Sequence, residues 1–264
     1  MKKRVKIHPT LSVALATYNE EANIVRCLNS VKGWVDEIII VDGSSADKTR
    51  ELASKFGVVV VKTTNKPIFH INKQLAIDNC QGLWVLQLDA DEVVSETLKD
   101  EILSVIKKGS EDNAFWIPRK NYFLGRWLRK TGQYPDPVIR FFKKGMARLP
   151  CRSVHEQITV KGGIGSLRGH LLHYPYPSFS EYLKKSDRYT SLTAGELLKA
   201  GEKANFSSFL KAYFRFEKDF WLRFLRHKGF LDGFPGLIFS AYSGLHNITA
   251  YVKFWELYRK KGSN

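Results

Sequence analysis

The chain has 264 residues, 44% of them hydrophobic, which is enough to bury a sizeable core and excludes a disordered protein. Forty-two Lys and Arg against 26 Asp and Glu leave a formal charge of +16, which calls for an anionic partner: nucleic acid, an anionic membrane surface or a phosphorylated substrate. The three cysteines, Cys27, Cys80 and Cys151, lack C-x-x-C spacing and histidines at metal-ligand spacing, so they read as reduced cytosolic thiols, and the basic start Met1-Lys2-Lys3-Arg4-Val5 lacks the apolar stretch of a secretory signal.

In chain order, residues 11–16 form a short apolar run, Thr17-Tyr18-Asn19-Glu20-Glu21 a polar turn, and Ala22, Ile24, Val25 and Leu28 recur at helical spacing. Residues 37–41 repeat the strand signal and run into Asp42-Gly43-Ser44-Ser45-Ala46-Asp47, whose Ser and Asp side chains can cap a helix over 48–56. Residues 58–61 predict a third strand, 71–79 a helix and 83–89 a fourth strand. This alternation predicts an α/β fold, a mostly parallel Rossmann-like sheet with helices on both faces.

The fourth run, Leu83-Trp84-Val85-Leu86-Gln87-Leu88-Asp89-Ala90-Asp91-Glu92, carries the most chemistry. An apolar strand that ends in carboxylates delivers them to the carboxyl edge, where open α/β sheets bind ligands. Two carboxylates one residue apart repel unless a cation sits between them or one is protonated, and hard divalent ions prefer such oxygens. The pair therefore reads as a metal-diphosphate site, or else as solvated turn residues. Glu20 and Asp42 lie just past two other carboxyl ends, where a carboxylate can accept from a nucleobase N–H or a ribose hydroxyl. Neither G-x-G-x-x-G nor G-x-x-x-x-G-K-[ST] is present, so dinucleotide redox chemistry and P-loop hydrolysis lose support. The phosphates then need a metal on Asp91, with Lys73 as a second counter-charge.

Further along, Asp136-Pro137-Val138-Ile139-Arg140-Phe141-Phe142 places a guanidinium on an apolar strand, where Arg140 either clamps a phosphate or pairs with an acid such as Asp136. Trp116, Tyr122, Phe123 and Trp127 can stack on sugar rings or pack the core. Ser178 with Glu181 forms a capping box that opens a helix to about residue 199. From Phe206 onward aromatics interleave with bases, Lys211, Arg215 and Arg223 among them, as in an amphipathic helix on anionic lipid. Residues 234–255 are apolar over about a bilayer's width, but Pro235, His246, Asn247 and Lys253 interrupt them. They read as an apolar hairpin lying on a membrane rather than crossing it, or as a helical pair packing back on the protein. No helix-turn-helix, zinc or RNP signature supports a nucleic-acid partner.

Leu15-Ala16-Thr17-Tyr18-Asn19-Glu20, Val41-Asp42-Gly43-Ser44-Ser45-Ala46-Asp47 and Leu88-Asp89-Ala90-Asp91-Glu92, in this order, resemble the GT-A nucleotide-sugar domain of family 2 inverting glycosyltransferases. Pro118-Arg119-Lys120-Asn121-Tyr122, Gly132-Gln133-Tyr134-Pro135-Asp136, Val154-His155-Glu156-Gln157 and Arg226-His227-Lys228-Gly229-Phe230 are similar to the lipopolysaccharide-core β-1,4-glucosyltransferase branch. The resemblance implies a catalytic domain over 1–175 and a helical, membrane-associating region over 176–264. It implies that Ala16, Tyr18, Glu20 and Asp42 hold the nucleoside of a UDP-sugar. Asp89 and Asp91 would hold ribose and Mg²⁺ or Mn²⁺, with Lys73 and Arg140 on the diphosphate, His155 as a further metal or diphosphate ligand and Glu92 orienting the shell. Inversion requires a general base, for which Glu156 is the first candidate, Asp136 the reserve and Asp232 a third. The implied partners are a nucleotide-sugar donor and an anionic glycolipid acceptor at the inner face of the cytoplasmic membrane; a polyprenyl-phosphate acceptor and self-association stay open.

Overall fold

The four apolar runs become the strands β1 (Leu11–Thr17), β2 (Glu37–Asp42), β3 (Val59–Lys62) and β4 (Trp84–Asp89) of a computed structural model that describes residues 10–152 and 157–262. Between them lie α1 (Ile24–Val31), α2 (Thr49–Ser54) and α3 (Phe69–Asn79). The strand order is β3-β2-β1-β4, all parallel. Strands β1 and β4 are buried along nearly their whole length, which is why their sequences are mostly apolar rather than alternating.

The sheet then continues in the opposite sense. After β5 (Glu92–Val94) and α4 (Glu96–Lys108) come β6 (Ala114–Phe123), its short partner β7 (Arg126–Trp127) and β8 (Asp136–Lys143). Strand β8 is antiparallel to both β4 and β6. Beyond the small ladder of β9 (Ala147–Arg148) with β10 (Thr159–Val160) and the short β11 (Ile164–Ser166), β12 (Leu171–His173) lies beside β6 and runs antiparallel to β5. The mixed sheet thus joins the expected parallel half to an antiparallel half. Phe141 of β8 stacks on Trp84 of β4, ring centroids 4.7 Å apart, and carries the core across that seam.

The chain divides into two compact units, Met1–Arg119 with Asp136–His173, and Lys120–Pro135 with Tyr174–Asn264. The second contains α5 (Phe179–Lys199), α6 (Phe206–Trp221) and α7 (Gly233–Gly262), with a π turn at Leu222–Arg226 and a 3₁₀ turn at Gly229–Asp232. Ser178 caps α5, its Oγ accepting from the Glu181 amide at 3.2 Å. The expected apolar hairpin is instead one 30-residue helix, α7, packed on α5 and α6 through Ala194, Ala212, Tyr251 and Phe254. Its polar interruptions have local reasons. Pro235 lies in the first turn, where a helix needs no N–H. Asn247 donates to Asp219 at 2.8 Å and Lys253 to Asp187 at 2.7 Å, so both tie α7 to its neighbours. Among the described residues no helix is long and apolar enough to cross a membrane.

Two separated sequence motifs meet inside this second unit. Asp232 is 2% exposed and accepts from the Arg129 and Lys130 amides at 3.2 and 2.8 Å, which commits it to the backbone and removes it as a candidate base. Gly132 adopts φ 73°, and a Cβ there would stand 3.3 Å from the His227 ring, so both conformation and close packing favour glycine.

Candidate functional site

Parallel pairing in register brings three carboxyl ends to one level: Thr17 lies opposite Asp42 and Ala16 opposite Asp89. The two loops that follow β1 and β2 are stitched together. Asn19 N donates to Ser45 Oγ at 2.9 Å, Ala46 N to Asn19 Oδ1 at 2.8 Å, Glu20 N to Thr49 Oγ1 at 2.7 Å and Lys48 N to Glu21 Oε2 at 3.0 Å. Asn19 and Ser44 both adopt positive φ to make these turns. The result is a wall whose two loops are tied together by the protein's own hydrogen bonds.

Of the residues expected on that wall, Tyr18 is 47% exposed and Ala16 partly exposed at the end of its strand. Glu20 is half-buried and accepts from Asn23 Nδ2 at 2.9 Å. Asp42 differs from the expectation of a carboxylate turned toward the nucleoside. It is fully buried, accepting from Thr17 Oγ1 at 3.0 Å and from the Ser45 amide and hydroxyl at 3.0 and 2.5 Å, with Arg50 Nε 3.5 Å away. Its carboxylate shapes the loop because burial without these donors would cost far more than the hydrogen bonds return.

Asp89 is the centre of a row of alternating charges. Lys73 Nζ stands 2.5 Å from Asp89 Oδ1 and Arg140 Nη2 2.5 Å from Oδ2. Arg140 also bonds Glu92 Oε1 at 3.0 Å and the side-chain oxygen of Gln87. Glu92, fully buried, returns a contact to the Asp89 amide at 2.9 Å and pairs with Arg119 at 3.4 Å, and Arg119 holds Asp136 at 2.6 Å. Lys73, Arg140 and Arg119 thus balance Asp89, Glu92 and Asp136. Burial disfavours charge on Asp89, but the Arg140 guanidinium and the Lys73 ammonium outweigh it and hold the carboxyl well below the ordinary carboxylate range. Burial likewise opposes the charge on Arg140, and Asp89 and Glu92 reverse that and raise it. Arg140 therefore pairs with Asp89 and Glu92, not with Asp136.

Asp91 stands apart from this row. Its Oδ2 faces His173 Nε2 at 3.5 Å, both side chains being less than a fifth exposed. His173 was not among the expected site residues; it arrives on β12, whose register sets it opposite Glu92. The sequence signal was faint: a three-residue strand, more than eighty positions from Asp91, in the run His170-Leu171-Leu172-His173. Among the described residues no three His, Cys, Asp or Glu side chains converge as a metal cage. One carboxylate and one imidazole with donor oxygens and water completing the shell do suit Mg²⁺ or Mn²⁺, which are held through few protein ligands and substrate phosphates. His155 and Glu156 lie outside the described residues. Beneath the acids, the Cys27 Sγ donates to the Asp89 carbonyl at 3.6 Å; burial first, then Glu92, Asp91 and Asp89, push its thiol well above the ordinary range, so it is inert packing.

The aromatics divide by role. Phe123 is 2% exposed and lies in the core of the second unit, Tyr122 stacks on Tyr174 at 4.6 Å, and Trp127 has Lys120 Nζ over its ring at 4.5 Å. Trp116 packs against the core of the first unit.

The sequence profile that matches is that of Glycosyl transferase family 2, over residues 12–164. An uncharacterised glycosyltransferase of Rickettsia typhi is 30% identical over 94% of this chain and 85% of its own length. A lipopolysaccharide core biosynthesis glycosyltransferase of Rhizobium meliloti is 28% identical over 87% of this chain and 88% of its own. Among solved structures, a mannosyltransferase from Pyrobaculum calidifontis in complex with GDP-Man and Mn²⁺ superposes with a TM-score of 0.54 at 14% identity, covering 94% of this chain and 88% of that one. That likeness shows the fold, the GT-A type of α/β sheet.

Proposed function

The chain belongs to glycosyl transferase family 2, and from that premise we propose that it moves a hexose, glucose from UDP-glucose, with inversion onto a lipopolysaccharide inner-core or similar glycolipid. The observation that carries the reading is the pairing of Asp91 with His173 beside the Asp89 clamp, at the edge where β1, β2 and β4 end. The Rhizobium meliloti relative supports the lipopolysaccharide acceptor, and the complex of the mannosyltransferase with GDP-Man and Mn²⁺ supports a nucleotide-sugar donor with a divalent cation.

Tyr18, Glu20 and the carbonyl of Ala16 would line the nucleoside, with Asp42 fixing the loop that presents it. Asp89 would meet the ribose, and Lys73 and Arg140, already beside it, would share their charge with the diphosphate. Asp91 and His173 would hold Mg²⁺ or Mn²⁺, which when bound supplies positive charge against the leaving diphosphate. The acceptor hydroxyl attacks the anomeric carbon from the face opposite that leaving group and gives its proton to a carboxylate. Asp136 has Nε and Nη2 of Arg119 on one oxygen, at 3.0 and 2.6 Å, so we assign the base to Glu156 and keep Asp136 as the reserve. Incubating the protein and Mn²⁺ with UDP-glucose, UDP-N-acetylglucosamine or GDP-mannose, each offered an inner-core glycolipid or a polyprenyl phosphate, tests the reading. Transfer of glucose to the core with a β-anomeric product is expected; transfer only to the polyprenyl phosphate would move the enzyme to another acceptor class, and no transfer from any nucleotide sugar would sink the proposal.

Work on a glycolipid places the enzyme at the inner face of the cytoplasmic membrane as a peripheral protein. Support comes from the second unit, where Phe214 is 64% and Phe234 68% exposed in a segment that also exposes Lys211, Arg215 and Arg226. Arg223 does not join them, because its Nη1 donates to the Thr131 carbonyl at 3.1 Å. Each cation near an anionic bilayer contributes about 1 kcal/mol, so K211Q/R226Q is expected to weaken partition onto phosphatidylglycerol vesicles about thirtyfold. Vesicle co-sedimentation unchanged by that pair would show that the bases serve something other than lipid.

A further inference from the structure

The excursion Lys120–Pro135 leaves the first unit at Arg119 and rejoins it at Asp136, two residues paired with each other at 2.6 Å. Its sixteen residues carry Lys120, Arg126, Arg129 and Lys130 and no carboxylate. Within the second unit Lys120 Nζ and the Arg129 guanidinium lie 4.5 and 4.8 Å from the centroid of one ring, that of Trp127. Neither side-chain cation has a salt-bridge partner among the described residues, the nearby Asp232 carboxylate being taken by the Arg129 and Lys130 amides, so two like charges are gathered about one ring. Tyr134 meets Trp127 edge to face at 5.2 Å, and Tyr122 stacks on Tyr174 nearby in the same unit. The Trp127 indole N–H is buried without a hydrogen-bond partner, a state folded proteins rarely leave. An incoming oxygen acceptor would end it.

From this juxtaposition we infer that Lys120, Trp127 and Arg129, with Tyr122, Tyr134 and Tyr174 beside them, form a subsite for a saccharide that carries a phosphate or carboxylate group. The chemistry divides in two. The aromatic side chains beside the cations supply apolar surface for a pyranose, while the guanidinium and ammonium receive the anionic substituent, the planar fork of Arg129 matching two oxygens at once. The fixed position of the excursion follows from Asp232, whose carboxylate takes the Arg129 and Lys130 amides, and from the fit of Gly132 against His227. Resting on the transferase reading, the subsite assigns acidic acceptor sugars to this segment, whose chain rejoins the first unit at the reserve base Asp136.

The test is titration of the full-length protein, at constant ionic strength, with glucose 6-phosphate, glucuronate, glucose and inorganic phosphate, followed by saturation-transfer NMR. Both anionic sugars are expected to bind about tenfold more tightly than glucose, and K120Q/R129Q to abolish that difference. W127F, which keeps a ring in place but removes the N–H, should weaken all three sugars, and binding of UDP with Mn²⁺ should be the same in every variant. Equal binding of glucose, equal binding of inorganic phosphate alone, or an unchanged double variant would overturn the subsite. Failure of the acidic sugars while UDP still binds removes this inference only; failure of UDP as well removes the transferase reading beneath it.

Discussion

Replacing Arg140 with methionine is expected to cost about 3 kcal/mol of folding stability, the lower end of what removing one partner of a buried ion pair costs. The reason lies in what the guanidinium leaves behind. Glu92 is fully buried and Asp89 only 24% exposed, and Arg140 is the cation between them. Lys73 would still serve Asp89 and Arg119 would still reach Glu92 at 3.4 Å, which keeps the loss from being larger. The dependence on pH separates charge from packing. In the native protein the Asp89 carboxyl is held below its unfolded value of about 3.9, so its stabilisation is fully present above that pH and is lost as pH falls through the folded value. In the variant the chief opposing charge is gone and the Lys73 ammonium is left to oppose burial, so the carboxyl lies higher than in the native protein and takes up a proton sooner as pH falls. Urea unfolding at pH 7 and pH 4 should therefore show the deficit shrinking toward acid. A deficit equal at both values would assign the loss to the missing side-chain volume instead. Adding Glu92→Gln to the methionine variant should restore part of the stability, since one of the stranded charges is then absent.

The same row of charges shows how far the sequence can be read. The parallel half of the sheet was legible because β1, β2 and β4 are mostly apolar and end abruptly in Thr17, Asp42 and Asp89. The strand at 136–142 was legible as well, but not its direction, and β6 was hidden. Pro118 and Pro137 face each other in the β6–β8 ladder, and proline normally argues against a paired strand. Sequence offered Arg140 either a phosphate or an acid such as Asp136, and for the acid proximity in the chain was the only guide. The antiparallel crossing of β4 and β8 decides otherwise, setting Arg140 against Asp89, on the neighbouring strand, and leaving Asp136 to Arg119. Asp42 was rightly seen at a carboxyl end, yet nothing local revealed that Thr17 and Ser45 would turn it inward. His173 depended on β12 finding β5, a pairing that short strands do not announce. That residues 120–135 group with the second compact unit is not marked in the sequence, because an excursion between two strands of one sheet leaves no composition change.

Asp91→Ala is expected to lower kcat/KM on the order of 10³-fold, the equivalent of several kcal/mol of lost charge stabilisation at the leaving diphosphate. Asp91 is the better probe than Asp89 for a structural reason. Changing Asp89 strands Lys73 and Arg140 and mixes stability with catalysis, whereas Asp91 lies outside the balanced row and faces His173. Isothermal titration of UDP with and without Mn²⁺ should show cation-dependent tightening in the native protein and none in the variant, at an unchanged melting temperature. His173→Gln should fall between the two, since the amide oxygen can replace the imidazole nitrogen but binds a divalent cation more weakly. If Asp91→Ala keeps the cation dependence while His173→Gln loses it, the ion is seated on the β12 side and Asp91 only orients the imidazole. If neither variant changes it, the cation that tightens UDP is held by residues other than this pair.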